Sequence, residues 1–90
     1  MKFEWDENKR IANIDKHGID FVAACLLWQA PMLVVQDDRQ DYGETRWIGL
    51  GKLEKRIMVV VFTKRIDTVR IISCRKANKR EIKYYEEATQ

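Results

Sequence analysis

Apolar and polar positions change period several times along the chain, and each change marks an element. Phe3 and Trp5 alternate with Lys2 and Glu4, which predicts a short strand over 2–5 with one apolar face. Asp6 then offers an N-cap, with Glu7 in the first turn where the helix dipole favours an acid, so a helix is expected to about Lys16. Ile11 and Ile14 are three apart and share the face expected to pack. Gly18 fits the left-handed position that ends helices. Asp20 is a second N-cap. Phe21, Ala24, Cys25 and Trp28 recur at helical spacing, predicting a short helix against a sheet that closes by Pro31.

From there the signals are those of strands. Met32–Gln36 is an apolar run ahead of a polar loop, Asp37–Tyr42, and a turn at Gly43. Thr45–Leu50 reads as the next strand and residues 51–55 as a hairpin connection. Arg56–Thr63, RIMVVVFT, lacks polar alternation, as a central strand covered on both faces would. Lys64–Asp67 turns the chain into a last strand, Thr68–Arg75. Asn78 with Glu81 three residues on resembles a capping box and starts a mostly charged helix over about 78–88, in which Ile82 and Tyr85 share a face beside Tyr84. The order is β-α-α-β-β-β-β-α. Four strands joined by short connections make an antiparallel meander with helices segregated on the sheet, an α+β fold. The pairing of the first strand is left open by the pattern.

Composition narrows this reading. Ninety residues make one domain, 1–90, with a modest core. No apolar run could cross a membrane, and MKFEWDENK has no apolar segment of a secretory signal, so a cytoplasmic protein is expected. Cys25 and Cys74 lie in apolar segments and are read as reduced, buried thiols. The net charge of +3 conceals an asymmetry. Residues 1–50 carry 6 basic and 9 acidic side chains; residues 51–90 carry 11 and 5. A basic half points to a polyanionic or acidic partner, or simply to a solvated surface.

The basic residues concentrate where the last strand runs into the last helix: Lys64, Arg65, Arg70, Arg75, Lys76, Lys79 and Arg80, against Asp67. A strand fixes cation positions and a helix start presents free N–H groups, which suits phosphates. Strict alternation would set Val69, Ile71, Ser73 and Arg75 on one side and Arg70, Ile72 and Cys74 on the other. Arg65 and Arg75 would lie at opposite ends of the strand. There is no metal-ligand cluster, no G-x-G-x-x-G or Walker loop, and no base beside Ser73 for a hydrolase triad, so no cofactor is expected. Proton-transfer candidates are His17, Glu81, Tyr84 and Tyr85. Each has a commoner structural use: a helix C-terminal cation for His17, a cap for Glu81, packing for the tyrosines. Trp5, Trp28 and Trp47 are read as core or interface residues, with base stacking the less common use.

Four stretches in order, FEWDENKRIANIDKHGIDF, DDRQDYGETRWIGLG, VVFTKR and VRIISCRKANKREIKYY, resemble the BrnT toxin family of bacterial type II toxin–antitoxin systems. The W-D-x-x-K start, the K-H-G-I turn, and R-I-I-S-x-R-K-A followed by E-x-x-x-Y carry the resemblance; Cys74 stands where a small residue is expected. The resemblance implies a RelE-like fold and a metal-independent endoribonuclease that cuts RNA and inhibits translation. It also implies a BrnA-type antitoxin carrying a ribbon-helix-helix domain, a heterotetrameric complex, and operator DNA bound only through that complex. Attack by the RNA 2′-hydroxyl needs a base, cations for the developing charge and an acid for the leaving oxygen. Set against that chemistry, Arg75 is the first choice for the scissile phosphate, with Lys76 or Arg65 assisting. His17, Glu81 and Tyr85 are candidates for proton transfer. Lys16, Lys64, Arg70, Lys79 and Arg80 are expected RNA contacts. Two other functions fit the same residues: a toxin of this fold that binds a protein target, and a small nucleic-acid-binding module without catalysis.

Overall fold

The computed structural model describes residues 1–90 and follows the expected order. The elements are β1 (Lys2–Trp5), α1 (Glu7–His17), α2 (Phe21–Ala24), β2 (Leu33–Asp37), β3 (Arg46–Leu53), β4 (Arg56–Lys64), β5 (Thr68–Lys76) and α3 (Lys79–Ala88). Each helix start is capped by the residue the sequence offers. Asp6 accepts the N–H groups of Asn8 and Lys9, Asp20 that of Val22, and Asn78 that of Glu81. Gly18, at φ 71°, closes α1 in the left-handed conformation.

All five strands form one sheet in the order β1-β5-β4-β3-β2. β2 to β5 are the antiparallel meander. β1, whose partner the sequence left open, joins β5 in parallel, with Lys2 opposite Thr68 and Trp5 opposite Ile71. The chain therefore starts at one edge, crosses one face through α1 and α2, enters the far edge at β2, and returns strand by strand. α1 and α2 lie over a core of Phe21, Ala24, Leu27, Met58, Val60, Phe62, Val69, Ile71 and Cys74. α3 covers a smaller cluster on the opposite face, where Tyr85 packs with Leu50, Ile57 and Val59. β4 is buried on both faces, as its unbroken apolar run predicts. No helix is long and apolar enough to cross a membrane.

Three expectations are corrected. The β3–β4 hairpin is tighter than a connection over 51–55: pairing continues to Leu53–Arg56, and the turn is Glu54–Lys55, with Glu54 at φ 58°. Gly51 is not a turn signal but a strand residue without a side chain, because a Cβ there would stand 2.8 Å from Met32 Cγ. The single helix expected over 21–28 tightens after Ala24 into a 3-10 segment, Cys25–Gln29. Finally, Ile11 and Ile14 are not the packing face of α1; they are 56% and 37% exposed. The inward position belongs to Asn13. Its amide donates to the carbonyls of Cys74 and Ile19 (2.8 and 2.9 Å) and accepts the Cys74 N–H (3.1 Å). β1 ends opposite Ile71, so the edge of β5 beyond it lacks a strand partner, and Asn13 supplies the missing hydrogen bonds.

Candidate active site: an arginine-lined groove

A β-bulge in β5 decides which cations meet. Val61 pairs with Ser73 and Phe62 with Ile71, leaving Ile72 as the extra residue. Strict alternation from Val69 to Arg75 is thereby broken. Val69, Ile71 and Cys74 face the larger core, while Arg70, Ser73 and Arg75 share the α3 face. This corrects the facing expected from period two alone, which separated Arg70 from Arg75.

The register lays out that face in rows. Leu33, Leu50, Val59 and Arg75 lie side by side across four strands, with α3 over the apolar members. Val35, Ile48, Val61 and Ser73 form the next row. α3 leaves this row partly open, and Val35 is 45% exposed. Beyond it come Asp37 opposite Arg46, and Thr63 opposite Arg70. The result is a shallow groove with an apolar floor between polar walls.

Carboxylates hold its arginines in place. Arg75 makes a two-pronged pair with Glu81, Nη1–Oε1 and Nη2–Oε2 both 2.8 Å. Glu81 Oε1 also accepts the Asn78 N–H at 2.8 Å, completing the capping box, so the guanidinium is fixed to the start of α3. Pairing with Arg75 holds the Glu81 carboxyl below its ordinary range, against a smaller opposing effect of burial. Glu81 in turn raises the pKa of Arg75, and the positive charge of Arg39 works against that rise.

Arg39 comes from the polar loop after β2, which the sequence reading passed over. Asp37 is its anchor: Arg39 Nε and Nη2 donate to the two carboxylate oxygens at 2.7 and 2.8 Å, and the Tyr42 hydroxyl donates to Oδ2 at 3.1 Å. The Asp37 side chain is only 1% exposed, whereas that of Arg39 is 66% exposed. These bonds, Arg39 above all, depress the Asp37 pKa far below the usual carboxylate range despite burial. Arg46 stacks on the Tyr42 ring, its Cζ 4.0 Å from the centroid. The signal available in the sequence was a loop dense in hydrogen-bonding side chains, DDRQDYGETR, within one of the stretches that resemble the toxin family.

The remaining candidates are divided among other places. Arg70 and Arg65 share one carboxylate, Glu4, at 3.7 and 3.6 Å, so Arg65 joins the groove at the end remote from Arg75. Lys64 follows Thr63 and lies over the Trp47 ring, Nζ 4.7 Å from its centroid. Tyr85 is buried on the inner side of α3 and Tyr84 is exposed. Lys79 and Arg80 are exposed in the first turn of α3. His17 lies across the sheet at the end of α1, with Lys16 exposed beside it. His17 and Lys76 line a cavity of about 310 Å³ with Leu26, Leu53, Arg56 and Met58. No group of three or more His, Cys, Asp or Glu side chains is placed to hold a metal ion. Both cysteines are free, and burial pushes the Cys74 thiol up to about 12, so it is an inert core group.

The family model for "Ribonuclease toxin, BrnT, of type II toxin-antitoxin system" matches residues 5–81. Among solved structures, the crystal structure of the Brucella abortus ribonuclease toxin BrnT is similar, with a TM-score of 0.66 and 30% sequence identity. The match covers 88% of this chain and 99% of that one. Comparison with curated protein sequences finds no match.

Proposed function

The chain belongs to the BrnT family of ribonuclease toxins of type II toxin–antitoxin systems, and from that premise we propose that it is an endoribonuclease whose reaction takes place in the arginine groove on the α3 face. The observation that carries this reading is the bulge at Ile72, which puts Arg70 and Arg75 on one open face with Arg39 and Arg46 beside them. Four guanidiniums around an apolar floor suit an RNA strand whose phosphates meet the arginines and whose sugars or bases lie on Ile48 and Val61.

The proposed cleavage needs no metal ion. The 2′-oxygen attacks the adjacent phosphorus, the P–O5′ bond breaks, and the products are a 2′,3′-cyclic phosphate and a 5′-hydroxyl. Arg75, pinned by Glu81, donates to the phosphoryl oxygens as their charge grows. A fixed donor of this kind is worth about 3 kcal/mol in the barrier. Glu81 Oε2 accepts from Arg75 Nη2, while Oε1 holds both Arg75 and the cap, so Oε2 is the oxygen with capacity to take the 2′-hydroxyl proton. Its depressed pKa keeps it charged at neutral pH and makes it a modest base. Arg39 is the second donor to the phosphate, and Lys76, exposed at the end of β5 where it also borders Ala77 and Ile82 on the α3 side, supplies a proton to the leaving oxygen. Arg65, Arg70 and Lys64 hold the strand beyond the reacting phosphate, with Lys79 and Arg80 flanking the other end. His17 and Tyr85 are not needed in this scheme: one lies across the sheet and the other is buried on the inner side of α3.

Cleavage of RNA in this way inhibits translation. A BrnA-type antitoxin with a ribbon-helix-helix domain neutralises the toxin in a heterotetramer, and operator DNA is bound only through that complex. The family match supports an antitoxin partner, and light scattering on the co-expressed pair tests the stoichiometry: a 1:1 complex at micromolar concentration refutes the tetramer. The cleavage itself is tested by incubating the antitoxin-free protein with a defined RNA in EDTA and mapping the ends. Cyclic phosphate termini are expected. Cleavage that requires added magnesium would overturn the metal-free scheme.

A further inference from the structure

Beyond the groove, β3 and β4 part company. Trp47 pairs with Phe62, and beyond that pair Glu44 and Thr45, which precede β3, and Lys64 and Arg65, at and just after the end of β4, border a cleft of about 540 Å³. Its lining is Glu44, Thr45, Trp47, Thr63, Lys64 and Arg65. One aromatic ring, two exposed cations and a threonine are the elements of a stacking subsite for a nucleic-acid base with its phosphate.

Three observations tie the cleft to the groove. Thr63 belongs to both, since it lines the cleft and stands opposite Arg70 in the sheet. Its hydroxyl is buried without a hydrogen-bond partner in the protein, a polar group that a bound ligand would satisfy. And Glu4 holds Arg65 of the cleft and Arg70 of the groove at once. The acids here do not reverse the sign of the site: Glu44 is paired with Arg46 at 3.3 Å, and Glu4 is shared by two arginines.

We propose that the cleft between Trp47, Thr63 and Lys64 is a nucleobase subsite of the RNA-binding groove, taking an unpaired base on the strand that leaves the groove past Arg70. This rests on the ribonuclease reading and adds the single-stranded character of the substrate to it. Lys64 rests its ammonium on the Trp47 ring in the free protein. An incoming base stacks on that ring, and the displaced ammonium moves to its phosphate. The exchange is favourable because stacking of a base on an aromatic side chain outweighs one solvent-exposed cation–π contact. Trp47 packs with Phe62 on the larger core, on the side of the sheet opposite Arg70, so the ring has a rigid mount and the strand reaches it by passing round the open end of the sheet beside Thr63.

The test uses the wild-type protein and needs no Trp47 variant to fold. A short oligonucleotide of the cleaved sequence, with a 2′-deoxy sugar at the cleavage position, is titrated while the indole N–H signals of the three tryptophans are followed by NMR. The Trp47 signal is expected to shift in step with the backbone signals of Arg70 and Arg75, while those of Trp5 and Trp28 stay in place. Lys64→Ala is expected to weaken binding about threefold, and Trp47→Leu to raise KM on long RNA about tenfold with kcat unchanged. Groove signals that saturate while Trp47 stays unmoved would overturn the subsite and leave the ribonuclease reading standing. An oligonucleotide that moves no signal anywhere, with no cleavage of the parent RNA, would overturn both.

Discussion

The groove on the α3 face and the margin of the cavity on the α1 face hold their basic side chains in opposite ways. On the α3 face, Arg75 and Arg39 are each locked by a carboxylate through two hydrogen bonds, and the floor between the walls is left open. On the α1 face the sheet is sealed by ten buried core residues, and Lys16 and His17 at its margin make no side-chain hydrogen bond or ion pair. Locked guanidiniums cost little further ordering when a phosphate arrives, whereas loose lysines must be ordered by the ligand. A domain this small has few places to put chemistry. One face must supply the core, so the site falls on the other, and the buried carboxylate Asp37 is retained to orient a surface arginine.

The largest effect expected follows from cutting the groove at its centre. Arg75→Ala should lower the cleavage rate by about 100-fold or more, with circular dichroism and antitoxin binding retained. Loss of antitoxin binding with cleavage intact would instead make the junction a docking surface. Arg39→Ala should cost about tenfold in cleavage, being the second donor, and it leaves Asp37 buried with fewer partners. Thermal denaturation of this variant should show a loss of about 1–3 kcal/mol.

Changes on the opposite side should act on stability alone. Asn13→Ala removes the hydrogen bonds that close the β5 edge and leaves the Cys74 backbone groups unpaired. A loss of about 2 kcal/mol is expected, lowering Tm by roughly 10 °C, with cleavage per folded molecule unchanged.

Acid should weaken the groove side. Asp37 and Glu81 both have folded pKa values below their ordinary 3.8 and 4.5. On acidification the unfolded chain takes up these protons first, so the stability they contribute is complete above about pH 5 and is lost as pH falls through the depressed folded values. Urea midpoints measured from pH 7 to pH 3 should fall, and Asp37→Asn should flatten the fall. The smallest effect expected is that of His17→Ala, under about twofold on cleavage.

Much of this architecture was legible in the sequence because it rests on local signals. Asp6, Asp20, Asn78 and Gly18 announced their helix ends, and the run from Arg56 to Thr63 announced a strand buried on both faces. What local signals could not reveal depends on contacts distant in sequence. The bulge at Ile72 exists only as a register between β4 and β5, and without it Arg70 and Arg75 fall on different faces. Asn13 looks like an ordinary exposed helix residue until the missing partner of Cys74, 61 positions away, is known. Ile11 and Ile14 misled for the same reason. Gly51 was read as a turn because close approach by Met32 has no sequence signature. In the site, the basic strand–helix junction and the capping role of Glu81 were readable. Arg39 was not, since a loop arginine acquires a direction only through the buried Asp37.

One comparison of rates separates the two faces most directly. Wild type, Arg75→Ala and His17→Ala, each purified free of antitoxin and checked for folding, are given the same RNA in EDTA under single-turnover conditions. The α3-face account predicts that Arg75→Ala loses about 100-fold or more while His17→Ala stays within about twofold of wild type. A collapse of cleavage in His17→Ala, with Arg75→Ala active, would contradict it and move the reaction to the cavity on the α1 side.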